Sequence, residues 1–531
     1  MKRQHQLLAG LFAVVSLGSS SSVLAAPYTW YWDANWPEPH AKHASPKAAC
    51  DDYLSYIRGM GDPTKGRTDF DGLVYSPENG LVRYDCRTKG YWWDWTVGQF
   101  IFMGRGGRAI FREGDECPSG TSLNPASKTC QDDSVSQVEK QQGNPDNPQI
   151  CNSTAASNTP TKLVSDPINF AIGNTFQEET DFAPTGASPL SFARYYNSVS
   201  GLWSHTYSAH LEMDGSAVTV VRADGSQAPF VVANNVGVPK GEELGSLVRS
   251  GSNWLYKSAA NQSQTFNSAG RLMAITNPNG NTQTLTYGPS SSVTPVTVTD
   301  NLGNTLAFSH DGQLRPVELH AAGLDITYAY NSAGQFYRLN SVRNGQTESR
   351  TYHYEAAGKP NLLTGITDER GVRSVTWAYD DQGRAISSEM ANGIGKIYIS
   401  YGTDGSSTVT NELGKKTLYR YQVIRGVKYI VSVVGEPSAN CPASNSTFTY
   451  NDRGQVLTKT DAKGFVTTHT YNDRGLETTR IEASGTPQAR TTTTTWHATF
   501  NLPLTITEGG QVKTYIYDAQ GRKLSTSRSA L

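Results

Sequence analysis

From about residue 260 onward the chain is built of short segments in which apolar or β-branched residues alternate with polar ones, each closed by a turn. "QVLTKT" and "FVTTHT" show the form, with the period of two that belongs to a half-buried β-strand. In "YNDRGQVLTKTDAKGFVTTHTYNDRG", Gly454, Gly464 and Gly475 stand 10 and 11 residues apart, so each unit carries two turns. Strands joined by turns at that spacing predict an antiparallel meander.

The pattern repeats. Aligning each strand-ending aromatic with its following glycine gives Phe266, Tyr287, Phe308, Tyr330, Tyr354, Tyr379, Tyr401, Tyr450, Tyr471, Trp496 and Tyr517, with spacings of 21, 21, 22, 24, 25, 22, 49, 21, 25 and 21. The long interval holds two units, the second swollen by an insertion around "GEPSANCPAS". A pentapeptide kept for catalysis is needed once, whereas "YNDRG" stands at both Tyr450–Gly454 and Tyr471–Gly475, as expected of a structural corner. The Asn or Asp after the aromatic starts the turn through its own backbone, and the glycine supplies a positive φ. The aromatic ends the strand and is expected to pack on its counterpart one period along. Arg271, Arg384 and Arg522 follow their glycines, where a long stem covers aromatic surface and the guanidinium stays wet.

These residues resemble the YD repeats of bacterial Rhs proteins and of the related wall-associated and teneurin-type proteins. The matching copies are "FNSAGRL", "YNSAGQF", "YDDQGRA", "YNDRGQV", "YNDRGLE" and "YDAQGRKL", whose last corner is Tyr517–Gly521. A second block, "DPINFAIGNTFQEETDF" with "PLSFARYYNS", "GLWSHTY" and "RADGS", resembles the domain that precedes the repeats in Rhs proteins. It places Asp166–Asn169, Gly173, Asn174, Asp181, Arg194, Tyr195, Trp203, His205 and Tyr207 on matching positions. The resemblance implies a mainly β chain in which the repeats form part of a spiral shell, and it brings no catalytic role. In many members such a shell encloses a C-terminal toxin; this sequence stops ten residues after "YDAQG", so an unfinished shell is expected.

The N-terminus changes the picture of compartment. Lys2 and Arg3 precede the apolar run "LLAGLFAVVSLG" and the small-residue end "SSVLAAP", a secretory signal peptide over residues 1–25. The run is short for a membrane span, and no later segment qualifies. A secreted, periplasmic or cell-surface protein follows. Residues 26–130 form a small module with Cys50, Cys86, Cys117 and Cys130, read as structural disulfides because no CxxC pair suggests zinc. Cys117 with Cys130 closes the turn-rich "CPSGTSLNPASKTC", and Cys50 with Cys86 is the second expected pair; Cys151 and Cys441 are left unassigned. Residues 131–165 read as a polar linker, 166–255 as the domain before the repeats, and 256–531 as the repeats.

Composition narrows the function. The formal charge is −1 with both signs interspersed, which argues against nucleic acid or anionic lipid as partners. His205, between Trp203 and Tyr207 and with Asp181 or Glu179 as carboxylate partner, is the most tempting base, yet no nucleophile motif accompanies it. "EETD" lacks the calcium-loop pattern, and "GRGGR" lacks the Lys and Ser/Thr of a phosphate loop and is expected as a plain loop. His40 and His43 lack a third ligand. No cofactor and no catalytic or metal site is expected. The expected function is that of a non-catalytic structural or interaction protein, meeting surface carbohydrate or another protein; the alternative is the leading part of an Rhs polymorphic toxin shell. A meander with an open last strand is also expected to self-associate through that edge.

Overall fold

The computed structural model describes residues 136–144, 160–165, 167–183, 186–240, 243–289, 293–311, 315–331, 334–343, 345–436 and 445–531, together with Leu54 and the backbone of strands Thr29–Trp32, Gly66–Tyr75, Arg83–Asp94, Gln99–Glu113, Thr121–Asn124 and Thr129–Asp132. The signal peptide, His40, His43, Cys50, Cys117, Cys151 and Cys441 lie outside the described residues, as do the side chains of Cys86 and Cys130. "GRGGR" is not a loop: Gly104–Arg108 runs inside the strand Gln99–Glu113, paired along its length with Arg83–Asp94.

Thirty strands, from His210–Asp214 to Lys523–Ala530, form one sheet whose spatial order is the sequence order. Neighbours pair antiparallel, as in Gln283–Tyr287 with Val296–Asp300 and Thr447–Tyr450 with Val456–Thr460. Burial follows the expected alternation; along Val293–Asp300 every second residue, from Thr294 to Asp300, is buried. Strands from His210 to Lys257, expected in the preceding domain, hydrogen-bond into this same sheet, so hydrogen bonding shows no break at residue 255.

The corner chemistry is local. At the first "YNDRG", Asn451 N donates to Gln455 O (3.0 Å) and Gly454 N to Asn451 O (2.9 Å). Asn451 Oδ1 accepts the amides of Arg453 and Gln455, and the pairing slips between Thr449 and Tyr450. Asn267, Asp380 and Asp518 accept the corresponding amides at their own corners. Side chain and left-handed glycine together satisfy a turn that would otherwise leave amides unpaired.

Corner aromatics link consecutive units in a different way from the expected ring-on-ring packing. Successive corners are two strands apart, about 10 Å at the usual strand spacing, so the link runs through polar atoms. Tyr287, Tyr401 and Tyr471 donate their hydroxyls to Leu272 O, Ala385 O and Val456 O at 2.6 to 2.7 Å, each acceptor lying two residues past the previous corner glycine. Trp496 Nε1 does the same to Glu477 O at 2.8 Å. The arginine after the glycine covers the next unit's ring, with Arg271 over Tyr287 at 4.8 Å and Arg384 over Tyr401 at 4.1 Å.

The sheet winds. Its first strands curl tightly: Leu211 N donates to Gly270 O at 2.9 Å, and a Cβ on Gly270 would stand 2.5 Å from Leu211 O. Much later the sheet meets itself again. Asn501 N donates to Asn261 Oδ1 across 240 residues, Asn501 Nδ2 reaches Leu244 O and Ala259 O, and Lys257 Nζ sits 4.3 Å from the Phe500 ring centre. A separate five-stranded sheet, Leu163–His205, packs on the wall's buried face and shares its hydrophobic core.

Two glycines separate the backbone and steric roles. Gly464 (φ +84°) has open space around a would-be Cβ, whereas at Gly454 (φ +83°) it would stand 2.3 Å from Tyr429. Gly464→Ala should therefore cost about 1 kcal/mol for its left-handed backbone, and Gly454→Ala distinctly more. Urea unfolding of both variants measures the difference; equal losses would show that corner glycines serve backbone conformation alone.

Candidate functional site: the buried seam between leading block and wall

The strand Asn174–Phe182 is buried at both ends and alternates between them, with Glu178 and Thr180 exposed and two acids, Glu179 and Asp181, turned inward. Strand alternation puts both carboxylates toward the core, where an unpaired charge is costly. The neighbouring strand Phe192–Asn197 answers with Arg194, only 1% exposed. Arg194 grips Asp181 with two parallel hydrogen bonds, Nε to Oδ2 at 2.6 Å and Nη2 to Oδ1 at 2.9 Å.

The wall completes the site. Tyr352 OH accepts from Arg194 Nη2 at 2.8 Å, and Tyr328 OH donates to Asp181 Oδ2 at 2.8 Å. Trp203, Tyr328, Phe336 and Tyr352 surround the guanidinium with ring centres 4.6 to 5.5 Å away. Burial works against the charge on Arg194, but the adjacent Asp181 carboxylate outweighs it and holds the guanidinium well above its ordinary value. Glu179 pairs with Arg350 from the wall, and Arg350 in turn holds Glu369 at 3.0 Å. Burial pushes the Tyr352 and Tyr328 hydroxyls up, so both remain donors.

Further contacts spread the seam over many strands. Trp203 Nε1 donates to Tyr354 OH (2.9 Å), Tyr207 OH to Gln283 Oε1 (2.8 Å) and Tyr196 OH to Asn361 O (2.7 Å). Ala385 N donates to Gly173 O at 2.9 Å, an approach that glycine permits, since a Cβ there would stand 2.4 Å from Arg384 Cβ. The expected linker takes part: Gln137 N donates to Gly426 O, Gln141 Oε1 accepts from Lys428 N, and Gly143 N reaches Asn197 Oδ1.

His205 lies in this seam as a packed ring. It is 2% exposed, stacks on Phe192 at 5.1 Å and meets the edge of Phe308 at 5.2 Å, and its Nδ1 accepts from Tyr207 N. Its supposed carboxylate partners are engaged elsewhere, Asp181 by Arg194 and Glu179 by Arg350. Trp203 and His205 are thus brought together with Arg194 and Tyr352, while Tyr450, Gly454, Tyr471, Gly475, Tyr517 and Gly521 are distributed along the wall as corners. Sequence reasoning missed Arg350 and Tyr352 as partners; the signal for a buried cation was two acids two residues apart on a buried strand. An open groove of about 520 Å³ lies at the seam's end, but its cations are occupied, Lys359 by Asp381 O and Arg384 by Asp380. No group of three or more metal-ligating side chains occurs among the described residues.

Comparison with known proteins matches two stretches. The profile of the RHS Repeat family fits residues 450–487, and that of DUF6531, a domain of unknown function, fits residues 165–230. No curated protein sequence matches the chain. Among solved structures, the Tc holotoxin pore of Photorhabdus luminescens with a TccC3 substitution is 11% identical over 90% of this chain and 27% of its own, with a TM-score of 0.32. A TcdB2–TccC3 structure is 13% identical over 94% of this chain and 32% of its own, with a TM-score of 0.28. The chain therefore spans roughly a third or less of the length of these structures.

Replacing one partner of the buried pair should be severe. Arg194→Met leaves Asp181 uncompensated and is expected to cost about 3–5 kcal/mol in denaturant unfolding, with much of the loss recovered by adding Asp181→Leu; a loss below about 1 kcal/mol would show that the pair does not hold the seam. A second outcome concerns alkaline pH. Burial pushes the Tyr195 and Tyr287 hydroxyls up to about 12 from an ordinary value of 10.0. Unfolded tyrosines therefore lose protons first as pH rises, so stability is kept below about pH 10 and falls between there and 12. Ultraviolet titration of tyrosinate alongside circular dichroism follows both; ionisation of all tyrosines near their ordinary value without unfolding would contradict it.

Proposed function

The chain is an Rhs/YD-repeat protein, and we propose that it serves outside the cytoplasm as a non-catalytic scaffold, a secreted or surface wall that contacts carbohydrate or another protein. The observation that carries this reading is the use made of the chain's most chemistry-like residues. Arg194, Asp181, Glu179 and His205 are spent on joining the leading block to the wall. Repetition of one corner along the sheet supports the same reading, since a scaffold needs many equivalent joints and a catalyst one convergent site. No helix among the described residues is long and apolar enough to cross a membrane.

A second reading, a shell used in competition between cells, draws on a different feature. The leading block covers the wall's inner face only in part. After Leu476 the only buried residues are Asn501 and Pro503, so the last strands leave a face that an occupant would fill.

The scaffold reading expects purified chain to bind cell-envelope polysaccharide or intact cells without releasing shorter products. Co-sedimentation with chromatography of the supernatant tests this. Release of soluble fragments that His205→Ala abolishes would replace the scaffold with an enzyme.

A further inference from the structure

The open groove at the seam's end, about 520 Å³, falls within the roughly 300–1,000 Å³ of small-ligand sites. Two parts of the chain face each other across it. The leading block supplies Ile172 and the turn at residues 198–201, and the wall supplies residues 359–362 and the corner at 382–384. Val138, from the stretch before the leading block, closes one side.

The sides of the groove are fixed without a ligand. Tyr196 OH donates to Asn361 O (2.7 Å) and accepts from Leu363 N (3.0 Å), pinning the 359–362 turn to the leading block. Gly201 lies so close to the same turn that a Cβ on it would stand 2.6 Å from Asn361 Cβ, and Ala385 N on Gly173 O (2.9 Å) holds the other side. A site built in this way loses little conformational freedom when a ligand enters.

Its chemistry divides in two. The floor is apolar, with Ile172 and Leu362 5% and 7% exposed, and Val138, 36% exposed, adds its methyl groups. The charged donors are engaged, Arg384 by Asp380 at 2.7 Å and Lys359 by Asp381 O. An anion would have to compete with the Asp380 carboxylate for Arg384, so the groove favours an uncharged ligand. Asn361 and Gln382 are exposed in the same groove, and among the described residues their side-chain amides make one long contact, accepting from Gln335 Nε2 at Asn361 Oδ1 (3.4 Å). Each amide therefore has both a donor and an acceptor to offer.

An apolar floor beside two available amides matches an acetamido group, whose methyl is covered by the floor while its N–H and C=O are met by the amides. We propose that the groove binds a neutral sugar unit bearing an N-acetyl group, and that this is where the protein meets polysaccharide. The proposal rests on the carbohydrate-contact reading above and adds to it the site and the class of sugar.

Isothermal titration calorimetry of the full chain with N,N′-diacetylchitobiose, and with cellobiose, which carries hydroxyls in place of the acetamido groups, tests this. Wild type should bind diacetylchitobiose at least about tenfold more tightly than cellobiose. Asn361→Ala with Gln382→Ala should weaken that binding at least about tenfold, and Val138→Asp, which sets a charge against the methyl group, should do the same. All three positions are exposed, so thermal unfolding of the variants should match wild type. No binding of diacetylchitobiose, equal affinity for cellobiose, tighter binding of digalacturonic acid, or variants that bind like wild type would each overturn the proposal. Co-sedimentation with envelope polysaccharide separates it from the broader reading. Sedimentation lost in the same variants supports both, and sedimentation that the variants retain keeps the scaffold and removes the groove. Calorimetric binding of diacetylchitobiose by a chain that sediments with no polysaccharide keeps the groove and removes the carbohydrate-contact reading.

Discussion

A strand buried on one face must keep its polar backbone paired and its alternate side chains on the proper side, and in this chain that requirement is met by a corner that resets both every other strand. The corner does so with few atoms: one Asn or Asp oxygen accepts two amides, and one glycine adopts a left-handed backbone. Beside Tyr450 and Tyr471 the pairing slips, and the carbonyls of Val456 and Glu477 there are satisfied by the next aromatic through its hydroxyl or indole nitrogen. Each unit is thus finished by its successor. Stability along such a sheet is shared between neighbours, which explains why the aromatic is most often tyrosine rather than phenylalanine.

Charge is used in a second way, to join what the sheet alone cannot. The leading block brings two inward acids and one arginine; the wall brings Arg350, Tyr328 and Tyr352. Apolar surface would hold block and wall together without fixing their relative position. The paired, hydrogen-bonded charges tolerate little displacement, because moving the block would leave ions buried without partners. A second buried pair, Arg222 with Glu243 and the Tyr256 hydroxyl, ties the first curl of the sheet in the same manner.

Much of the wall was legible beforehand, and the reason is local. Alternation, β-branched content and the aromatic-Asx-x-x-Gly spacing act over fewer than ten residues, and the observed strands and corners follow them closely at Tyr450–Gly454, Tyr471–Gly475 and Tyr517–Gly521. Besides the strand at Gly104–Arg108, two further expectations needed revision. Residues 131–165 do not only link, since Gln137 and Gln141 cap the turn at Gly426 and the start of the strand at Lys428. Among the described residues the successive corner aromatics are linked through hydroxyl and carbonyl rather than ring to ring, because one strand lies between them, and Arg384 and its equivalents fill the interval.

By itself the sequence determined the period, the turn chemistry and the in-out alternation, because each is set by neighbours along the chain. The tertiary structure decided what those units do together. The curvature of the sheet, accumulated from small rotations between many strands, brings Asn501 to Asn261 and places the wall around Arg194. It also decides that Leu244 is half-buried against Gly475 while Leu413, on another turn at the same end of the sheet's strands, is exposed. No local pattern distinguishes those two leucines, since the difference lies in which part of the winding passes over each.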